Sequence, residues 1–397
     1  MSFPNLVFVS CLTLVLNTMA FMTITPVLPT LLEEWKLTET EAGLLGGAFF
    51  IGYVAAVPIL VPLTDRILPK KVYFISGVIG TISCFGFAFL GEGLWSGIFF
   101  RILTGIGVAG TYMPALKAMA DDLEEPYRTR AASYYTSVYA VGTAASILVG
   151  GLFADWLDWR WSFIAAGIGI LLGLVIGCLA LPNGKISSNP ISQSVAFRKA
   201  LKNRAAMANI RAYFGHLWEV FSNRVWIVAF LVMAEANRGE KFTLTAAGLA
   251  TLVALAGVPA SMWCGEALLR FNRNKVLNLI MLSSLLIGII VALTTAAPLW
   301  IVGSLAILYG VVTYADTGPL NSTTVSLAEP DVRGATMAIH ACVGFGGGVL
   351  GALAIGATLQ LTGGINSPDA WRFGFLVMAS GSAFGLFVRW RAKRAVS

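Results

Sequence analysis

The stretch WSFIAAGIGILLGLVIGCLAL (residues 161–181) holds no charged residue. A helix needs about 20 apolar residues to cross the hydrocarbon core of a bilayer, and a helix is a form in which every backbone group is satisfied internally. Read outward from this run, the same signature recurs at 6–32, 43–63, 72–91, 95–118, 131–153, 213–236, 244–268, 275–296, 299–323, 336–362 and 371–390, which predicts twelve spans. Of 397 residues 57% are hydrophobic and 12% charged. Soluble domains carry about 25% charged residues, so a soluble core could not absorb this much apolar surface. The one long polar stretch, near 182–212, is too short for a domain of its own. The expected fold class is an all-α polytopic membrane protein.

The run 6–32 is longer than the apolar segment of a signal peptide and has no basic segment before it. It is expected to be the first membrane helix. The five cysteines, Cys11, Cys84, Cys178, Cys264 and Cys342, lie far apart in apolar stretches with no CxxC pair. That pattern suits small packing residues, and neither a disulfide framework nor a metal site is expected.

The formal charge of +7 is explained by its distribution. With both termini cytoplasmic, 19 of the 27 basic residues fall in inside loops, five in outside loops, and Arg101, Lys117 and Arg224 within spans. This is a positive-inside bias, so the charge predicts topology and contact with anionic lipid head groups rather than nucleic-acid binding. The segment 183–211 opens with the turn-forming Asn183-Gly184 and continues with Val195, Phe197, Leu201 and Met207 among Arg198, Lys199, Lys202 and Arg204. It reads either as a basic amphipathic helix on the inner leaflet or as a solvated linker.

The two halves match at an offset near 204 residues: Arg66 with Arg270, Glu125-Pro126 with Glu329-Pro330, Ala131 with Ala335. Trp159-Arg160-Trp161-Ser162-Phe163 matches Trp371-Arg372-Phe373-Gly374-Phe375 at offset 212. Six spans repeated in parallel predict two pseudo-symmetric six-helix bundles, 1–182 and 212–397, joined by 183–211, an arrangement suited to alternating access.

Three motifs then stand out. After the second span the chain reads Val61-Pro62-Leu63-Thr64-Asp65-Arg66-Ile67-Leu68-Pro69-Lys70-Lys71, with a second-half copy around Gly265, Arg270 and Arg273 in which Leu269 replaces the acid. The fourth span carries Arg101-Ile102-Leu103-Thr104-Gly105-Ile106-Gly107-Val108-Ala109. The fifth carries Gly142-Thr143-Ala144-Ala145-Ser146-Ile147-Leu148-Val149-Gly150-Gly151. Over essentially its whole length the chain resembles the major facilitator superfamily. The resemblance implies a cytoplasmic gate formed by Asp65, Arg66, Lys70, Arg270 and Arg273. It implies for Arg101 either proton coupling or a structural pairing near a cavity. The drug-antiporter branch has Gly-Pro where this chain has Ser146-Ile147, a departure that weakens a drug/proton antiporter assignment.

Ionisable residues within spans are the default candidates for a solute path. The seventh span places His216, Glu219, Asn223 and Arg224 within an arc of roughly 140°. Arg224 aligns with Ala20 of the first half. The tenth span carries Asp316, with a helix break expected at Gly318-Pro319. Asp316 would take a proton or pair permanently with Arg224 or Arg101. Asn17, Tyr112, Tyr139 and His340 complete the candidate pathway, although His340 also reads as a neutral packed ring. Arginines in a cavity favour an anionic solute, because guanidinium binds carboxylate with two donors. There is no Walker motif to supply ATP drive and no catalytic constellation, so neither an enzyme nor a cofactor is expected.

The expectation is a monomeric secondary transporter of the cytoplasmic (inner) membrane that moves a small anionic solute with protons. The alternatives are a drug or metabolite efflux permease and a non-transporting sensor or scaffold on the same fold.

Overall fold

The computed structural model describes residues 3–124, 127–186 and 193–394, the side chains of Thr129, Ser133, Gln193 and Lys393 excepted. Glu125-Pro126 of the internal repeat, Ser187–Pro190 of the linker turn and the basic side chain of Lys393 lie outside the described residues. All regular elements among the described residues are helical. The first seven are α1 (Phe3–Thr18), α2 (Ile24–Glu34), α3 (Glu39–Leu63), α4 (Pro69–Leu90), α5 (Leu94–Asp121), α6 (Tyr127–Trp156) and α7 (Trp159–Ala180). The linker holds α8 (Gln193–Lys202). Then follow α9 (Arg204–Arg238), α10 (Ala246–Arg270), α11 (Arg273–Leu293), α12 (Leu299–Tyr314), α13 (Thr317–Leu327), a 3-10 turn (Pro330–Val332), α14 (Arg333–Thr362) and α15 (Pro368–Arg394).

Eleven helical runs among the described residues are long and apolar enough to cross a membrane, and the shorter apolar α1 is continued by α2. Contacts divide the chain into two compact units, Met1–Thr30 with Ala48–Pro190 and Leu31–Gly47 with Ile191–Ser397. The helix boundaries follow local chemistry. The side chains of Asp158, Asn203, Thr245 and Asn272 accept from backbone N–H groups in the first turns of α7, α9, α10 and α11. Gly239 ends α9 in the left-handed conformation at φ 65°, where a glycine carries no Cβ penalty.

Two predicted spans are broken rather than continuous. The first, expected as one helix over 6–32, is interrupted between Thr18 and Ile24. The tenth is interrupted at Ala315 and Asp316, earlier than the expected Gly318-Pro319. A proline follows each break, although others lie within α2, α3, α5 and α10 without one. A proline lacks an N–H and its ring collides with the carbonyl four residues back, so Pro26 acts at Met22 and Pro319 acts at Ala315. Pro319 itself sits in the first turn of α13, where its missing donor costs nothing.

The linker helix forms and docks on the second unit. Ala200 joins Ile210, Val332 and Ile339 in a buried cluster, with Phe197 packed against it. Asn203 Nδ2 donates to the Leu327 carbonyl at 2.8 Å. Lys199 Nζ reaches Asp331 at 2.6 Å and Glu329 at 3.0 Å. The hydrogen bond from Lys199 holds the Asp331 carboxyl below the ordinary aspartate range, and its bonds to Asp331 and Glu329 hold Lys199 above the ordinary lysine range. Val195, Arg198, Leu201 and Lys202 remain exposed.

Neighbouring helices approach at glycines. A Cβ on Gly215 of α9 would collide with the Gly381 carbonyl of α15, and one on Gly381 would collide with that of Gly215. No side chain fits between these two backbones, which fixes the face that α9 presents to the rest of the unit.

Candidate functional site

In the first unit the helix break exposes carbonyls, and a buried cation takes them. Arg101 of α5 is 1% exposed. It donates Nη1 to the Ala20 carbonyl and Nη2 to the Phe21 carbonyl, both at 3.0 Å, and lies 5.2 Å from the Phe49 ring centroid. The fork of the guanidinium thus caps the interrupted first span. Asn17 also turns inward. Its Nδ2 donates to the Thr13 carbonyl at 2.7 Å and to Tyr73 Oη at 2.9 Å, and Tyr73 donates on to the Gly173 carbonyl at 2.6 Å. This chain ties α1 to α4 and α7. Tyr112 and Tyr139, half-buried, form an aromatic face with Tyr135 and Phe21, at ring separations of 5.3–5.7 Å.

The second unit gathers most of the titratable candidates on α9. His216 Nδ1 lies 2.7 Å from Asp316 Oδ1, with side chains 2% and 5% exposed. His216 Nε2 lies 3.0 Å from the Thr317 hydroxyl. The break between α12 and α13 places Asp316 here, and Ser261 accepts from the freed Gly318 N–H at 2.9 Å. His340 of α14 stacks on Tyr213 at 3.7 Å and reaches the Thr324 hydroxyl at 3.0 Å and Asn321 Oδ1 at 2.7 Å. Its ring is thus packed, with a partner at each nitrogen.

Arg224, about two turns further along α9, lies over the Tyr314 ring at 4.7 Å and near that of Phe221 at 5.9 Å. Asn223 and Arg224 share with Thr313 and Tyr314 a cavity of about 10 Å³, in which Asn223 Oδ1 is buried without a hydrogen-bond partner. That volume is the room of one water. Glu219 faces elsewhere. Oε1 accepts from Ser284 at 2.9 Å and Tyr309 at 2.7 Å, and Oε2 accepts from Ser382. One carboxylate thus cross-links α9, α11, α12 and α15, while Asp316, for which the sequence offered Arg224 or Arg101 as partner, faces His216. Ser284, Ser382, Asn321 and Thr324 carried no sequence signal, because each is a common residue brought in from a distant helix.

The motif residues at the helix ends bond within their own units. Asp65 pairs with Lys117 of α5 at 2.6 Å, and Lys117 also donates to the Thr64 carbonyl at 2.8 Å. Lys70 donates to the Leu181 carbonyl at 2.7 Å, capping the end of α7. Arg273 donates to Ser326 at 2.8 Å, while Arg66 and Arg270 are exposed.

The comparisons with known proteins agree with this architecture. A solved structure of a bacterial homolog to the human lysosomal transporter Spinster, inward-facing and occupied, superposes with TM-score 0.80 at 17% identity, covering 98% of this chain and 97% of that one. A point mutant of the nucleoside transporter NupG superposes with TM-score 0.78 at 16% identity, over 98% and 100%. Among relatives, a probable sphingolipid transporter spinster homolog 1 of Arabidopsis thaliana is 26% identical over 50% of this chain and 43% of its own. The human protein spinster homolog 1 is 25% identical over 59% and 47%. The chain therefore spans less than half the length of these two curated relatives. A gentisate transporter of Corynebacterium glutamicum is 24% identical over 90% of this chain and 82% of its own. The profile described as Major Facilitator Superfamily matches residues 10–352, and this multi-pass membrane protein belongs to that superfamily.

Proposed function

We propose that the protein is a secondary transporter of the cytoplasmic membrane, both termini inside, that moves a small organic anion by alternating access coupled to protons. The observation that carries this reading is the His216–Asp316 pair at the break of the tenth span. A buried imidazole and carboxylate at hydrogen-bond distance hold one proton between them or release it, and the broken helix beside them supplies freed backbone groups. Arg224 supplies the anion-binding end. Its guanidinium sits over the Tyr314 ring and shares with Asn223 a cavity with room for one water in this conformation, so an organic anion reaches it only once the helices part. The relative matched over the greatest share of the chain among those described, a gentisate transporter, supports the same substrate class.

The second reading is export of a lipid-like amphipath, favoured by the spinster-type relatives. Purified protein in proteoliposomes under an imposed pH gradient separates the two. Gradient-driven accumulation of a hydroxybenzoate, abolished in Arg224→Ala, is expected. Flux of no carboxylate, together with movement of a fluorescent lipid, would replace the first reading by the second. If neither moves and Asp316→Asn is silent in vivo, a non-transporting sensor is what remains.

A further inference from the structure

The chain holds two histidines, His216 and His340, both buried in the second unit, and their partners differ in kind. The tautomer of each ring follows from what those partners can do. A backbone carbonyl only accepts, so the bonds around His340 are fixed from the Leu320 carbonyl outward. It accepts from Asn209 Nδ2 at 2.9 Å, which orients that amide, and the same nitrogen donates to Thr324 Oγ1 at 2.8 Å. Thr324 turns its own hydrogen to His340 Nδ1 at 3.0 Å, because its other acceptor, the Leu320 carbonyl at 3.2 Å, is further away and already bonded to Asn209. Nδ1 of His340 thus accepts, and Nε2 carries the hydrogen and donates to Asn321 Oδ1 at 2.7 Å.

His216 is bonded the other way round. Asp316 Oδ1, 2.7 Å from Nδ1, accepts, so Nδ1 carries the hydrogen and Nε2 is the open nitrogen. Nε2 faces the Thr317 hydroxyl at 3.0 Å, which donates to a neutral ring and, by turning one torsion, accepts from a charged one. An imidazole is ordinarily a stronger base than a carboxylate, so a proton reaching the pair goes to the ring. Thr317 is half-buried and Asp316 buried, so the Nε2 side is also the more accessible one. His340 meets no carboxylate at either nitrogen, and a cation there would be buried without a bonded counter-charge. The other ionisable groups around the pair are occupied. On α9, Glu219 accepts from three hydroxyls and Arg224 lies over Tyr314. The Tyr213 ring lies 5.5 Å from His216 and stacks on His340. Cys264 of α10 and Arg389 of α15 act on Asp316 from a distance, and Arg389 donates to Asn278 and Asn274.

We propose that the proton of the His216–Asp316 pair is gained and lost at His216 Nε2, with Thr317 as the positioning hydroxyl, and that His340 stays neutral with its hydrogen on Nε2. The proton exchanges with water. Nδ1–H stays on the carboxylate throughout, so the ring passes between neutral and charged forms without breaking its bond to Asp316. The place of this step in transport rests on the proton-coupled reading above. The test is solid-state NMR of the full chain in lipid, with histidine isotopically labelled in its ring nitrogens. Two rings are seen, and His340→Gln or His216→Gln, whichever folds, assigns them. In alkaline buffer His216 should carry its hydrogen on Nδ1 and His340 on Nε2. On acidification His216 should be the first to gain a second N–H, at Nε2. In Thr317→Val that second N–H should need roughly three- to tenfold more acid, because the bond lost is the stronger one when the ring is charged. Thr317→Ser should restore the parent's behaviour. Tautomers other than these, a second N–H gained first by His340, or a Thr317→Val protein indistinguishable from the parent overturns the proposal. The spectra need no flux. Rings that behave as expected in a protein without gradient-driven uptake would sink the transport reading alone, and intact uptake with contrary rings would sink this one alone.

Discussion

Two spans are interrupted among the described residues, one in each unit, and they are held open in different ways. The first-span break is closed over by Arg101, whose two donors go to backbone carbonyls. The tenth-span break is met by His216, which faces a carboxylate at the break itself. A proline follows each interruption and removes one backbone donor there, so the two breaks differ chiefly in the side chains that meet them. A guanidinium on carbonyls makes a permanent clamp. An imidazole on a carboxylate joins two side chains, one from α9 and one at the break.

The largest effect is expected at the permanent clamp. Arg101→Leu leaves the Ala20 and Phe21 carbonyls buried without donors, at about 1–3 kcal/mol each, which should remove most of the folded protein in an unfolding titration. Arg101→Lys should recover part of this, because an ammonium lacks the fork. A leucine variant as stable as the parent would break the comparison. Next comes the titratable contact. Asp316→Asn should lower pH-gradient-driven uptake by roughly 10- to 100-fold while solute exchange without a gradient persists. Equal loss of both would make Asp316 a fixed structural group like its counterpart.

A smaller effect tests whether α9 carries a second proton site. Glu219→Gln keeps partners for the three hydroxyls and should cost under about 1 kcal/mol, whereas Glu219→Ala strands them and should cost about 2–3 kcal/mol. A glutamine variant that folds normally but loses coupling would move Glu219 from scaffold to mechanism. The smallest effect concerns the linker helix. Asp331 lies below its ordinary range, so its contribution is full at neutral pH and is lost as pH falls through the lowered value. Lys199 lies above its ordinary range, so its contribution is lost as pH rises through the raised value. Exchange protection over 193–202, taken relative to the intrinsic amide rate at each pH, should therefore fall at both acid and strongly alkaline pH, and in high salt at neutral pH. Exchange indifferent to all three would leave the apolar docking of Ala200 and Phe197 as the sole anchor.

The fold was readable because a span announces itself by length and apolarity alone, as residues 161–181 do. The breaks were half readable: Pro319 was seen, but its effect falls four residues upstream, where the sequence shows only Ala315 and Asp316. Site residues were legible as types and not as partnerships. Placing His216, Glu219, Asn223 and Arg224 on one arc followed from periodicity, yet Glu219 turns toward Ser284, Tyr309 and Ser382 while His216 faces Asp316. The arc on one helix does not say which neighbour occupies each direction. Arg101 was legible as costly, but its carbonyl partners carry no side-chain signal at all.

The 35 residues of α9 extend about 52 Å, against a hydrocarbon core of about 30 Å. The surplus at the Arg204 end carries α8, riveted through Lys199 and Asn203 to the same unit. That overhang is a pointer: a tilt of about 10° around a pivot in the core would swing its tip by several ångströms. A spin label on exposed Lys202 would thus read out, from outside the lipid, a rearrangement too small to measure beside His216 itself.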